Sequence, residues 1–480
     1  MKKYIPLLCL LAIPFVFENC AKNPVTGKRQ VVLMSEAQEI QMGQEADPQI
    51  IAQFGLYENP ELQNFINEKG QQMAAISHRP NIKYTFRIVD SEVINAFAVP
   101  GGFVYFTRGI MGYFNNEAEF AGVLGHEIGH ITARHTVEQQ RNAILGQVGL
   151  IAGIIIAPDL AQFAETASQG LGLLLMKFGR DAERESDRLG VEYSSKIGYD
   201  AHQMANFFRT LERQGQARGA EELPNFLSTH PNPGDRFNTV HKLADEWQKK
   251  NNLQQPQVNR NSYLRRIEGL IYGEDPKGGY RENNVFYHPV LRFQFSTPQG
   301  WNYQNTPQQV QLAAPDGKAV LFLRLAQGNS LTDAANNFIQ QNKLVTVESR
   351  ETTVNGLRAL AVVADLQQQQ GSIRTLQYYI QQGNNIYMLL GASALANFNA
   401  YVNTFSNTMQ SFRELTDAAK INVKPERIRL RTVSGDMTLQ QALQNFGVPS
   451  NRMEETALLN SMLLTEKITS GTLIKVVERF

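Results

Sequence analysis

The sequence predicts an α+β protein. Its first half is mostly helical with a small edge sheet, its second half is a small α+β sheet domain, and a short α+β tail follows. Three observations carry this. Residues 117–140, 199–214 and 235–250 place apolar side chains at helical spacing. From Leu291 onward, strand-like runs alternate with turn formers. The chain also has 480 residues, more than one ordinary core encloses, so two or three domains are expected.

Composition narrows the class. Lys plus Arg is 46 against 45 for Asp plus Glu, and no basic tract or aromatic-basic stripe occurs, which argues against nucleic acid as a partner. A hydrophobic content of 42% suits a globular body. The two cysteines, Cys9 and Cys20, both lie in the first twenty residues, which leaves the body without an internal disulfide or a Cys-rich metal site. Lys2-Lys3 and the apolar stretch Tyr4 to Phe17 read as an export signal, too short to span a bilayer comfortably. Residues 1–20 look like a lipoprotein signal with Cys20 as the lipidated residue, although Glu18 and Asn19 replace the usual small residues. A plain export signal and an uncleaved anchor are the alternatives. All three place the body outside the cytoplasm, in the bacterial periplasm or cell envelope, with a lipid anchor at Cys20 as the leading expectation.

Taken in order, Asn23-Pro-Val-Thr-Gly is a polar linker. Ser35-Glu-Ala-Gln38 has the form of a capping box and starts a helix to about Ala46. Asn59-Pro60 starts another, with Leu62, Phe65, Ile66 and Met73 on its buried face. Tyr84–Val89 and Gly102–Thr107 read as strands. Between them Asn95-Ala96-Phe97-Ala98 leads into Pro-Gly-Gly; Pro100 puts any strand here at a sheet edge, where an extended peptide could add by backbone pairing. An ordinary hairpin turn explains the same residues. A metal-site helix follows over Glu117–Gln140. The apolar run Ile144–Ala157 reads as a buried or membrane-dipping helix, and a further helix runs from Ala164 to Gly179.

Phe226–Arg236 reads as a loop by its Pro and Gly content, and Gln254–Asn259 as a linker. The boundaries expected are 21–253, 258–417 and 420–480. In the second segment Leu291–Phe295, Ala319–Leu325, Ala359–Ala364, Thr375–Ile380 and Ile386–Leu390 are strand-like. Gln367–Gly371 and Gln381–Asn385 are turns, and helices near 331–342 and 394–412 cover the sheet. The tail reads as strand, helix, helix, strand. It weakly resembles the LysM fold, which would imply a contact with peptidoglycan; a plain structural cap is the favoured explanation. No long-period repeat occurs.

The chemistry concentrates in His126-Glu127-Ile-Gly-His130. Residues four apart on a helix share a face, so the two histidines can present nitrogens to one ion, with Glu127 within reach of a water on it. That is what a zinc hydrolase needs; a buried helix with two hydrogen-bonded histidines is the bland alternative. A third ligand is missing. At the metzincin spacing Ala133 stands for the glycine and Thr136 for the histidine, and His135 comes one residue early, which suits a helix-surface residue or one that supports a ligand. A thermolysin-like glutamate would fall in the apolar run. The next acidic group is Glu183-Arg-Glu185-Ser-Asp187. Glu183 and Asp187 share a face, so one can bind metal while the other orients a histidine, and Glu185 points elsewhere. A solvated, salt-bridged face is the alternative.

Asn95-Ala-Phe-Ala-Val-Pro-Gly-Gly, His126-Glu-Ile-Gly-His130 and Glu183-x-x-x-Asp187, in that order, resemble the HtpX and CaaX-prenyl-endopeptidase family of zinc metallopeptidases, nearest its periplasmic lipoprotein-like members. The resemblance covers about residues 23–250. It implies a gluzincin-type site with one catalytic zinc on His126, His130 and Glu183. It further implies Glu127 as the base and Asp187 behind a ligand, with cell-envelope polypeptides as substrates. His230 and Arg236 are candidates for an oxyanion donor. His230 could also plug the metal's fourth position and hold the enzyme latent, or it could simply cap a helix. An envelope chaperone or assembly factor with a zinc-stabilised fold is the competing function, and a cell-wall hydrolase a third.

Overall fold

The structure, a computed structural model, describes residues 20–27, 29–31, 34–137, 160, 178–218, 225–231, 235–368 and 371–479. The signal stretch through Asn19, the apolar run Ile144–Ala157, most of the helix expected from Ala164 and the loop centre Asn232–Gly234 lie outside these residues. Among the described residues no helix is long and apolar enough to cross a membrane.

The first half is built on α1 (Glu36–Phe54), α2 (Pro60–Ala75), α3 (Arg108–Tyr113), α4 (Glu117–Thr132), α5 (Arg180–Lys196), α6 (His202–Arg218), α7 (Asn225–Thr229) and α8 (Arg236–Lys250). Local chemistry sets their starts. Ser35 and Gln38 form a reciprocal capping box at α1, and Asn59 accepts from the amide of Leu62 with Pro60 in the first turn of α2. Asn116 caps α4 by accepting from the amide of Glu119.

Strands β1 (Thr85–Val89), β2 (Ala96–Val99) and β3 (Phe103–Thr107) form a sheet in the order β1-β3-β2, with β2 antiparallel to β3 at the edge. Alternation splits the edge strand: Ala96 and Ala98 enter the main core, while Phe97 and Val99 enter a smaller one, where Phe97 stacks on Tyr105 at 5.0 Å.

Two expectations need correction. The metal-site helix was expected to run to Gln140, but α4 stops at Thr132. Ala133 and Arg134 form a turn with Arg134 at φ 62°, and helical backbone resumes at His135. The turn is fixed by Arg134, whose Nε donates to the buried Glu39 at 3.0 Å. Residues 226–229, expected in a loop, form the short helix α7.

Beyond Gln254–Asn259, α9 (Arg260–Arg266) and residues through Ile271 still contribute Tyr263, Leu264, Ile267, Leu270 and Ile271 to the first core, which also takes Ile428 and Leu459 from the tail. A seven-stranded antiparallel sheet follows. In chain order its strands are β4 (Asn302–Asn305), β5 (Gln309–Ala313), β6 (Ala319–Leu325), β7 (Val345–Val354), β8 (Leu357–Gln368), β9 (Gly371–Gln382) and β10 (Asn385–Ala394), in the sheet order β4-β5-β6-β10-β9-β8-β7. Helix α10 (Leu331–Gln341) covers one face and α11 (Phe398–Gln410) the other. In the tail, β11 (Glu426–Thr432) is the middle strand, antiparallel to β12 (Leu473–Arg479) on one side and to Ile271–Tyr272 on the other, with α12 (Leu439–Asn445) and α13 (Met453–Leu459) between β11 and β12 in the chain. Buried Lys475 of β12 donates to the carbonyls of Gly112 and Phe114, at 2.8 and 3.1 Å, which fastens the tail just before α4.

Candidate metal centre

Helix α4 is buried along its whole length, and it is crossed closely by α5 and α6. Glycines permit this. A Cβ on Gly125 would stand 3.0 Å from Cα of Gly190 on α5, and one on Gly129 would stand 3.1 Å from Cβ of Leu189. The near contact of α4 with α5 carries Glu183 to the two histidines.

Around one point stand four side chains. Nε2 of His126 and Nε2 of His130 are 3.0 Å apart. Glu183 lies 3.6 Å from the former and 3.5 Å from the latter, and His230 Nδ1 is 3.3 Å from His126 Nε2 and 3.0 Å from Glu183 Oε1. One donor atom from each of the four can be found within 4.8 Å of the others. All four are fully buried. Glu127 is buried beside them, 3.6 Å from His230, and neither of its oxygens has a hydrogen-bond partner among the described residues.

A second layer of contacts orients the rings. His126 Nδ1 sits 2.9 Å from Asp187, which forces the neutral ring's lone pair onto Nε2, toward the centre. Asp187 is gripped by Arg236, whose guanidinium lies 3.7 Å over the ring of Phe208. Arg236 Nη2 also lies 3.3 Å from Glu183 and 3.3 Å from His126 Nδ1, and Nη1 lies 3.5 Å from the carbonyl of His230. His130 stacks on Phe178 at 3.9 Å and meets His135, Nδ1 to Nδ1, at 3.0 Å. His135 in turn reaches Glu185 at 3.2 Å, which is where that carboxylate points. The sequence left His135 between a surface residue and a supporting one; the turn at Arg134 folds it inward, buried behind His130.

Electrostatics follow from burial and crowding. Burial raises Glu127 above the ordinary carboxylate range. Burial works in the same direction on Glu183, but His230, His130 and His126 outweigh it and hold its carboxyl well below that range. Burial also keeps His130 neutral, well below the usual imidazole value. Inward-facing imidazole nitrogens, a charged carboxylate and an unpartnered glutamate form a donor set that fits a borderline divalent cation such as zinc.

The edge strand expected to offer free backbone is met at its start by residues 226–230. The amide of Phe226 donates to the carbonyl of Ile94 at 3.0 Å, His230 Nε2 lies 3.3 Å from the carbonyl of Ala96, and Thr229 bonds the Asn95 side chain at 3.3 Å. Residues 226–230 therefore pack against Ile94–Ala96, at the start of β2, and end in the centre. No local signal in the sequence predicts that pairing, because it joins residues over a hundred positions apart.

The chain is similar to several curated proteins. The beta-barrel assembly-enhancing protease of Escherichia coli O157:H7 is 33% identical over 243 residues, covering 48% of this chain and 49% of that protein. Its namesake in Yersinia pestis is 32% identical over 267 residues, 52% of each chain. Mitochondrial metalloendopeptidase OMA1 of Bos taurus is 27% identical over 262 residues, 49% of this chain and 48% of that one. The chain spans about half the length of these relatives. These relatives carry names other than HtpX or CaaX-prenyl endopeptidase, so the comparisons support a likeness to metallopeptidases without specifying that branch. Residues 60–244, which contain every group of the centre, match the model of Peptidase family M48.

Proposed function

We propose that this protein is a zinc metalloendopeptidase that cleaves polypeptides of the bacterial cell envelope, in quality control of misfolded or misassembled proteins. The observation that carries this reading is Glu127: a buried carboxylate with both oxygens unpartnered, one residue from His126 and facing the cluster. A purely structural metal site has no use for such a group, which weighs against the reading as a chaperone with a zinc-stabilised fold. His126, His130 and Glu183 would hold the ion. When bound, zinc supplies a Lewis acid for the scissile carbonyl and acidifies a water. Glu127 accepts the proton from the attacking water and returns it to the leaving amine. Asp187 holds His126 in the tautomer that faces the centre, and Arg236 holds Asp187. β2, through Asn95, Ala96, Phe97 and Ala98, is the strand along which an extended substrate would pair. The names of the protease relatives support the envelope setting, and Cys20 would supply the lipid anchor.

The position of residues 226–230 supports a latent form. His230 stands where it would be a fourth protein ligand, and its segment lies against the carbonyls of Ile94 and Ala96, at the start of the edge strand along which a substrate would pair. Glu127→Gln protein should keep its zinc and lose cleavage of casein by about 10²–10⁴-fold. Turnover at the wild-type rate would remove Glu127 from the mechanism.

A further inference from the structure

A second set of metal-binding side chains lies away from the centre, where α6 packs on α8. His202 opens α6, and His241 and Asp245 stand four apart on α8, on one face. His202 Nε2 is 2.9 Å from Asp245 Oδ1, His241 Nδ1 is 3.7 Å from Asp245 Oδ2, and the two imidazole rings are 4.4 Å apart. One ligand atom from each of the three lies within 4.8 Å of the others.

The far side of His202 is the telling part. Its Nδ1 lies 2.7 Å from Asp200 Oδ1, and Gln248 donates to the same oxygen at 2.9 Å. Carboxylates only accept, so in the metal-free protein Nδ1–H donates to Asp200 and Nε2–H to Asp245; an ion that displaces the Nε2 proton leaves Asp200 holding Nδ1–H and turns the freed lone pair toward His241 and Asp245. A carboxylate behind a histidine whose other nitrogen faces two further donors is the arrangement that tunes metal ligands. The His202 side chain is 17% exposed, while those of His241 and Asp245 are 46% and 66% exposed, so an ion can enter without the fold opening.

We propose that His202, His241 and Asp245 form a second zinc site on the surface of the domain, with Asp200 orienting His202. Two imidazole nitrogens and a carboxylate suit zinc and leave a position for water or an outside ligand. Asp200, the carboxylate beside the three, is taken up by His202 and Gln248, and the role assigned to the site is to bind an ion. Its place in the fold gives it a consequence: an ion here ties the start of α6 to α8, the two helices that bracket the segment carrying His230 and whose second member begins with Arg236. Without metal, the same contacts describe an imidazolium between two carboxylates, and that is the alternative to exclude.

The test is calorimetric titration of chelator-stripped, full-length protein with zinc chloride. Two equivalents are expected per chain. The weaker should vanish in His241→Ala/Asp245→Asn and weaken by about 10–100-fold in Asp200→Asn, with the stronger unchanged in both. His126→Ala/His130→Ala protein should lose the stronger and keep the weaker. A single equivalent in the wild type, or two undiminished equivalents in the His241/Asp245 double variant, overturns the proposal. The side chains of His241 and Asp245 are 46% and 66% exposed, and circular dichroism of the double variant checks that its fold is kept.

Discussion

Arg236 grips Asp187 with two nitrogens, Nε to Oδ2 at 2.8 Å and Nη2 to Oδ1 at 2.5 Å, in a pair that is almost wholly buried. The pair ties α8 to α5 and fixes the carboxylate behind His126. Asp187→Asn keeps the shape and removes the charge. Zinc affinity at the centre should fall by about 10–100-fold, because His126 loses its anionic partner. Stability should fall by about 3–5 kcal/mol, because Arg236 stays buried without its closest counter-charge. Chelator competition and urea unfolding read the two effects separately; an unchanged affinity would show that Asp187 does not act through His126.

Helix spacing gives the second prediction. Gly125→Val places its branched side chain against the backbone of Gly190, with the Cβ already 3.0 Å away. Overpacking of this kind costs about 1–3 kcal/mol, and here the strain is relieved by moving α5, which carries Glu183, away from the histidines. Lower thermal stability together with weaker zinc binding is expected. Loss of stability with unchanged zinc affinity would separate the helix contact from the site.

If residues 226–230 hold the centre closed, His230→Ala should raise casein cleavage, by about tenfold for each 1.4 kcal/mol that the segment contributes to the closed form. Equal rates and equal zinc affinity in variant and wild type would reduce His230 to an ordinary end-of-helix residue.

Burial, reinforced by repulsion from Glu92, raises the carboxyl of Glu274 to about 7. A raised carboxyl binds its proton more tightly in the folded chain than in the unfolded one. The associated stability is fully present below the ordinary value of 4.5 and is lost as pH rises toward about 7. Glu274→Gln should therefore flatten the stability profile between those limits, with a gain over wild type of about 3 kcal/mol by pH 8. Parallel urea profiles for the two proteins would refute it.

Much of the centre could be read from spacing alone. His126 with His130, and Glu183 with Asp187, are pairs four residues apart, and helical geometry puts each pair on one face whatever else the chain does. The strands Ala319–Leu325 and Ile386–Leu390 were visible because both are apolar runs at the middle of a sheet. Strand β7 was not, because at the sheet edge Val345-Thr-Val-Glu-Ser-Arg carries exposed side chains on both faces and shows no apolar period. Helix α7 was hidden by the prolines and glycine that follow it, which mark the connection and not the turn of helix before it.

The donor types and their pairing on two helices follow from the amino-acid sequence alone, since each pair depends on periodicity within one element. Tertiary structure decided the rest. The glycine contact between α4 and α5 brings Glu183 to the histidines, and the turn at Arg134 places His135 behind His130. The segment ending at His230 meets the start of β2 at Ala96. These are distances between separate elements, set by which side chains leave room for close approach, and no local period encodes them.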